Sequence, residues 1–158
     1  MPGQTVIPSS MAVAAAGMLE GPIESAITRV IATAAGVNTG RAVRRGSVAG
    51  RTCELFAADA DSALIDGIVI RQPMRERSTP DFPQNTEVTL LRRGAIWLTC
   101  PVAIAPADNA TLSWIVTGGN AGLLTNVVDA NDRAIGVRCI VGAGIGGLGL
   151  FYVNLGGT

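Results

Sequence analysis

The chain has no histidine and no lysine, and all twelve of its cations are arginine. These two absences exclude much side-chain chemistry. Without histidine no Ser-His-Asp or Cys-His nucleophile can be built, and the usual near-neutral proton carrier is missing. Without lysine there is no Schiff base and no Ser-Lys dyad. Aromatic residues make up only 4% of the chain, so Ala, Val, Ile and Leu must supply most of the burial. The net charge is zero, so the basic excess that drives phosphate binding through counterion release is lacking. No direct nucleic-acid contact is expected. No stretch reaches the ~18 apolar residues of a membrane span, and no membrane partner is expected. The run MAVAAAGML at residues 11–19 has the composition of a signal-peptide core, but no cation precedes it. It reads as mature sequence.

Cysteine is sparse as well. Cys53, Cys100 and Cys139 lie far apart and are odd in number. A structural zinc site needs four ligands, usually in close pairs, and a disulfide framework needs an even count. The three thiols therefore read as small buried hydrophobes made in a reducing compartment. Neither a metal nor a cofactor is expected.

What is present is a chain of 158 residues, 48% hydrophobic and 15% charged, with a mean hydropathy of +0.39. That length supports one domain with its own core. The composition is apolar enough to imply surface covered by a partner. Twenty glycines and eight prolines imply many turns.

The organisation read from the sequence is an arm over residues 1–40 and a β-rich body over residues 41–158. The arm is Ala-, Gly- and Thr-rich and broken by Pro8, Gly17, Gly21 and Pro22. Within it Ile27, Val30, Ile31 and Ala34 follow the spacing of a short amphipathic helix, while β-branching at Val30 and Ile31 leaves an extended alternative open. The body shows short apolar runs at residues 41–48, 52–57, 67–72, 87–93, 95–102, 111–117, 134–141 and 148–155. Turn signals such as Asp66-Gly67, Arg93-Gly94 and Gly118-Gly119-Asn120 separate them. The expected fold is mainly β: a small β-sandwich or β-barrel body preceded by an extended, partly helical N-terminal arm. In the stretch VTLLRRGAIWLTC, Arg92-Arg93-Gly94 reads as a tight hairpin turn with positive φ at Gly94. Trp97 there reads as a core anchor rather than a ligand platform. Phe82, in a Pro-rich loop, must find cover.

Several motifs fail on context. Gly142, Gly144 and Gly147 fit G-x-G-x-x-G, but only nine residues follow Gly149 and none is acidic, so the dinucleotide unit cannot be completed. A glycine-rich connection between the last two strands is expected. Asp59, Asp61 and Asp66 look like part of a calcium loop, but Leu64 and Ile70 stand where it needs Gly and Glu. They read as solvated loop carboxylates. Four arginines between Arg41 and Arg51 form a local basic patch, read as a solvated strand face or partner contact. Asn109-Ala110-Thr111 is a glycosylation sequon, meaningful only in a secretory pathway. No catalytic constellation emerges, and no catalytic, cofactor-binding or metal residue is assigned.

Taken in order, GRAVRRGS, DGIVIRQPMRE, TEVTLLRRGAIWLTC and AIGVRCIVGAGIGGLGLFYVNL resemble the structural cement (capsid decoration) proteins of tailed bacteriophages. The resemblance covers roughly residues 40–155. It implies a structural virion protein, made in the host cytoplasm, that binds the outer face of the assembled head. There it would clamp neighbouring copies of the major capsid protein, commonly as a homotrimer. The other reading is a β-sandwich surface-binding module, such as a glycan or host adhesin. That reading needs aromatic side chains exposed for stacking. Neither reading is an enzyme.

Overall fold

The structure, a computed structural model, describes residues 14–72 and 80–156. It is mainly β, with nine strands: β1 Leu19–Ile31, β2 Ala42–Arg45, β3 Thr52–Leu55, β4 Ile65–Val69, β5 Glu87–Thr99, β6 Ser113–Trp114, β7 Leu124–Thr125, β8 Val137–Val141 and β9 Leu148–Asn154. Two short 3-10 turns, Asp61–Leu64 and Pro106–Ala110, complete the elements. No helix is long and apolar enough to cross a membrane.

The main sheet runs β1-β3-β2-β4-β5-β9-β8, and β1 also pairs with β5. That extra pairing closes β1, β3, β2, β4 and β5 into a ring. Each of the five strands gives apolar side chains to one cluster, formed by Ile31, Val43, Cys53, Val69, Val88 and Leu90 with Val37 and Phe82. Strand residues alternate between faces, so this cluster fills the inside of the ring. Phe82 finds its expected cover here: it is 1% exposed and bridges backbone to backbone with Val37.

The opposite face of the sheet carries a larger cluster. Ile68, Leu91, Ile96, Leu98, Phe151 and Val153 pack there beneath residues 101–135, which supply Ile104, Leu112, Trp114, Ala121 and Leu124. β6 and β7 form a two-stranded ribbon within that cover. The expected strand at residues 111–117 is thus reduced to two residues, and its partner β7 had no visible strand signal.

Three sequence expectations are corrected. First, the helical part of the arm is absent among the described residues: Ile27, Val30 and Ile31 lie in β1. Residues 26–30 pair antiparallel with β5, and Val30 and Ile31 pair in parallel with β3. The β-branched residues took the extended alternative because both flanking strands offer unpaired backbone. Second, Arg92-Arg93-Gly94 is not a hairpin turn. β5 runs unbroken through it for 13 residues. The register against β1 jumps there, pairing Glu20 with Ala95, Ser25 with Arg93 and Ala26 with Leu91. Gly94 has the expected positive φ, +143°, but uses it inside the strand. A bulge and a hairpin draw on the same glycine signal. Third, Asp66-Gly67 is not a turn but the middle of β4. A Cβ on Gly67 would lie 2.7 Å from Leu90 Cβ, so close approach of the neighbouring strand requires the glycine.

The strands expected at residues 41–48, 52–57, 87–93, 134–141 and 148–155 are found in whole or in part. Residues 142–147 connect the antiparallel strands β8 and β9, and all three cysteines are free and buried.

Candidate docking face

The bulge in β5 determines what faces water. Beyond Gly94, Ile96 and Leu98 turn into the larger core, and Arg93, Ala95 and Trp97 turn to the other side. Tyr152 of β9 stands opposite Ala95, and Arg138 of β8 stands opposite Tyr152. Glu20 of β1 stands opposite Ala95 from the other flank. One face of this half of the sheet therefore gathers Glu20, Arg93, Trp97, Arg138 and Tyr152.

These side chains are organised. The Trp97 indole N–H donates to Glu20 Oε2 at 3.0 Å. The Tyr152 hydroxyl donates to Glu24 Oε2 at 2.9 Å, and Arg93 Nε lies 3.1 Å from the same oxygen. Arg93 Nε also donates to the Tyr152 hydroxyl at 3.4 Å. The tyrosine hydroxyl and then the Glu24 charge push the Arg93 guanidinium pKa up. Glu24 sits on residues 21–24, which loop out of β1 opposite the single residue Gly94. Ile23 on that loop is 50% exposed.

Trp97 is therefore not the core anchor expected: it is half-buried and hydrogen-bonded at the surface. Trp114 takes the core role, 3% exposed and edge-on to Phe56 at 6.3 Å. Both tryptophans are flanked by Ile or Leu, and local pattern does not distinguish them. Phe56, Phe82 and Phe151 are also buried. A cleft of about 510 Å³ lies between Ile65, Arg133, Ile135 and Leu155, but Trp114 at its wall offers almost no stacking surface.

The basic patch is divided. Arg41 donates to the Ala121 carbonyl at 2.8 Å, and burial pushes its pKa down. Arg44 pairs with Glu54 at 3.0 Å and Asp61 at 3.2 Å. Arg45 and Arg51 remain exposed.

The candidate calcium-loop acids are also dispersed. Asp61 accepts from the backbone of Ala57 and Ala58, and the buried Asp66 pairs with Arg29 at 2.7 Å. Asp59 instead meets Asp129 and Asp132, their carboxylates lying within 4.8 Å of one another. Asp132 accepts from the Ser62 hydroxyl and the Ala60 N–H. The hydrogen bond with Asp132 is the main reason the Asp59 pKa is raised. Asn109, first residue of the sequon, bonds its side chain to Cys139 backbone.

No curated protein is significantly similar to this chain in sequence. Solved structures that share its fold include two from phages. One belongs to the capsid of the Myoviridae phage XM1, with TM-score 0.60 and 15% identity over 98% of both chains. The other is the head fiber gp8.5 N base of bacteriophage phi29, with TM-score 0.54 and 15% identity over 85% of this chain and 98% of that one. The family model of the structural cement protein (E217 gp24/Pam3 gp6) matches residues 3–154. The match spans both sides of the ring and the whole of the outer sheet, and the chain belongs to the phage structural cement protein family.

Proposed function

We propose that this protein decorates the outside of a phage head and ties neighbouring major capsid protein subunits together, without catalysis. The observation that carries the proposal is the family match over residues 3–154. The physical picture supports it. Two apolar clusters fill the ring and the space under its cover, and one outward face presents Trp97, Tyr152 and Arg93 tied by hydrogen bonds and an ion pair. Those residue types dominate the energetics of protein interfaces. Glu20 and Glu24 hold Trp97, Tyr152 and Arg93 in place before any partner arrives, which lowers the ordering cost of binding. A homotrimer would multiply weak contacts by effective concentration.

The glycan-binding alternative has little support, since Trp114 and all three phenylalanines are buried.

The test is co-sedimentation of the purified chain with DNA-filled heads that lack it. Saturable binding at a fixed copy number is the expected result. A chain that stays in the supernatant at micromolar concentration would refute the decoration role. Trp97→Ala with Tyr152→Ala should weaken head binding at least tenfold while the thermal melt stays native-like. Undiminished binding would move the contact to another face.

A further inference from the structure

The cleft between Ile65, Arg133, Ile135 and Leu155 pairs apolar surface with negative charge. Ile135 on its wall is 82% exposed, and Leu64, beside the wall residues Ala63 and Ile65, is 47% exposed. Asn131, also on the wall, borders the acids. Its Nδ2 donates to Asp59 Oδ2 at 3.1 Å, and its N–H donates to Asp129 Oδ1 at 2.9 Å. With Asp132 these carboxylates lie within 4.8 Å of one another. Among the described residues no arginine pairs with any of the three; Arg29, Arg44 and Arg93 go to Asp66, Glu54, Asp61 and Glu24. Arg133, the cation of the wall, donates to the Ala110 carbonyl. Apolar surface bordered by uncompensated negative charge is complementary to an apolar group bordered by positive charge.

The chain itself carries such a group. The turn between β2 and β3, residues 46–51, holds Val48, which is 49% exposed. Exposed Arg45 and Arg51 flank it in sequence, and neither has an ion-pair partner among the described residues. The turn is tied by its own bonds. Gly46 N–H donates to the Thr52 carbonyl at 2.9 Å, and Arg51 N–H donates to the Val48 carbonyl at 3.1 Å. Val48 N–H donates to Thr52 Oγ1 at 3.1 Å. A preformed protrusion loses little freedom on docking. Within one molecule the two patches stay apart: β3 lies between Arg51 and Asp59 in the chain, and neither Arg45 nor Arg51 lines the cleft. A knob and a socket at separate places on each copy make a head-to-tail contact, the kind that can close into a ring.

We propose that the β2–β3 turn of one copy docks in the Ile65–Ile135 cleft of the next, with Val48 against its apolar wall and Arg45 and Arg51 against Asp59 and Asp129. The inference rests on the self-association in the reading above and names its surfaces. It does not depend on which face meets the head.

The experiment measures self-association of the purified chain by sedimentation equilibrium. It compares wild type, Arg45→Glu/Arg51→Glu, Asp59→Arg/Asp129→Arg and the four changes combined. Wild type should associate, and either double variant should raise the dissociation constant at least about tenfold. The combined variant, with both signs reversed, should return to within about threefold of wild type. A wild-type chain that stays monomeric up to about 1 mM overturns the inference. So does association that either double variant leaves intact, or a natively melting combined variant that does not recover. Should the variants fail to fold, salt decides on the wild-type chain. Raising sodium chloride from about 0.05 to about 0.5 M should weaken association at least about tenfold, and salt-independent association overturns the contact. Co-sedimentation with heads separates this inference from decoration. A chain that decorates heads but stays monomeric in solution overturns the turn-in-cleft contact and leaves decoration standing. Loss of head binding in Asp59→Arg/Asp129→Arg with self-association unchanged also overturns it, and gives the cleft to the shell.

Discussion

At the scale of single residues, the buried groups give the firmest expectations. Arg29 and Asp66 pair at 2.7 Å, with the Asp66 side chain 2% exposed. They join β1 to β4, which share no backbone pairing. Arg29→Leu would leave the carboxylate buried and alone, and should cost about 3–5 kcal/mol by urea unfolding. Arg29→Leu with Asp66→Leu should recover much of that loss, because no uncompensated charge remains. Gly94→Val should lose about 1–3 kcal/mol, since φ of +143° suits no side chain and Leu91 Cδ1 lies 3.3 Å from the new Cβ. The thiols set an alkaline limit. Burial first, then the Asp66 charge, pushes the Cys53 pKa from an ordinary 9.0 to about 12, and Cys100 and Cys139 shift the same way through burial. Between pH 9 and 12 the unfolded thiol of Cys53 releases its proton while the folded one keeps it. Stability therefore falls as pH rises through that window. The melting temperature should drop above about pH 9, and less steeply in Cys53→Ala. These groups were only partly legible in the sequence. The burial of the cysteines and the positive φ of Gly94 follow from residue type. The Arg29–Asp66 pair does not, because it joins residues 37 apart in sequence that only the fold brings together.

At the scale of elements, β1 shows what sequence patterns leave undecided. Ile27, Val30, Ile31 and Ala34 satisfy a helical period, and only the unpaired edges of β3 and β5 settle the choice. Residues 41–55 and 134–155 were legible because their apolar alternation and flanking turns are local. β6 and β7 were not, because two-residue strands carry no period. The docking face was missed for a related reason. Trp97 sits in AIWLT and Trp114 in LSWIV, and only the bulge at residues 92–94 turns the first outward. The place of β1 gives a clear expectation. Removing residues 2–13 should leave a chain that melts cooperatively. Removing residues 2–36 should not, because it deletes a strand from the closed ring and exposes the Cys53–Val69–Val88 interior. Circular dichroism melts of the two truncations separate the cases.

At the scale of the whole molecule, a closed ring and an outer sheet share one long strand. β5 pairs with β1 on both sides of the bulge, with β4 before it and with β9 after it. Tension applied to the outer sheet is carried along β5 into the ring without crossing a loop. That continuity suits a protein proposed to resist rupture of a shell, where load must pass through backbone hydrogen bonds in shear. Head binding should also depend on assembly. If the homotrimer is the binding form, occupancy should fall more steeply than one-to-one binding predicts as the chain is diluted below the trimer's dissociation constant.

The closure of β1 onto β5 also has a consequence for synthesis. β1 leaves the ribosome first, yet its main partner ends only at Thr99. At ~5–20 residues per second the nascent strand waits on the order of several seconds with its backbone unpaired. Closing the ring is therefore a non-local step, in which β1 joins β5 only after β2, β3 and β4 have been made.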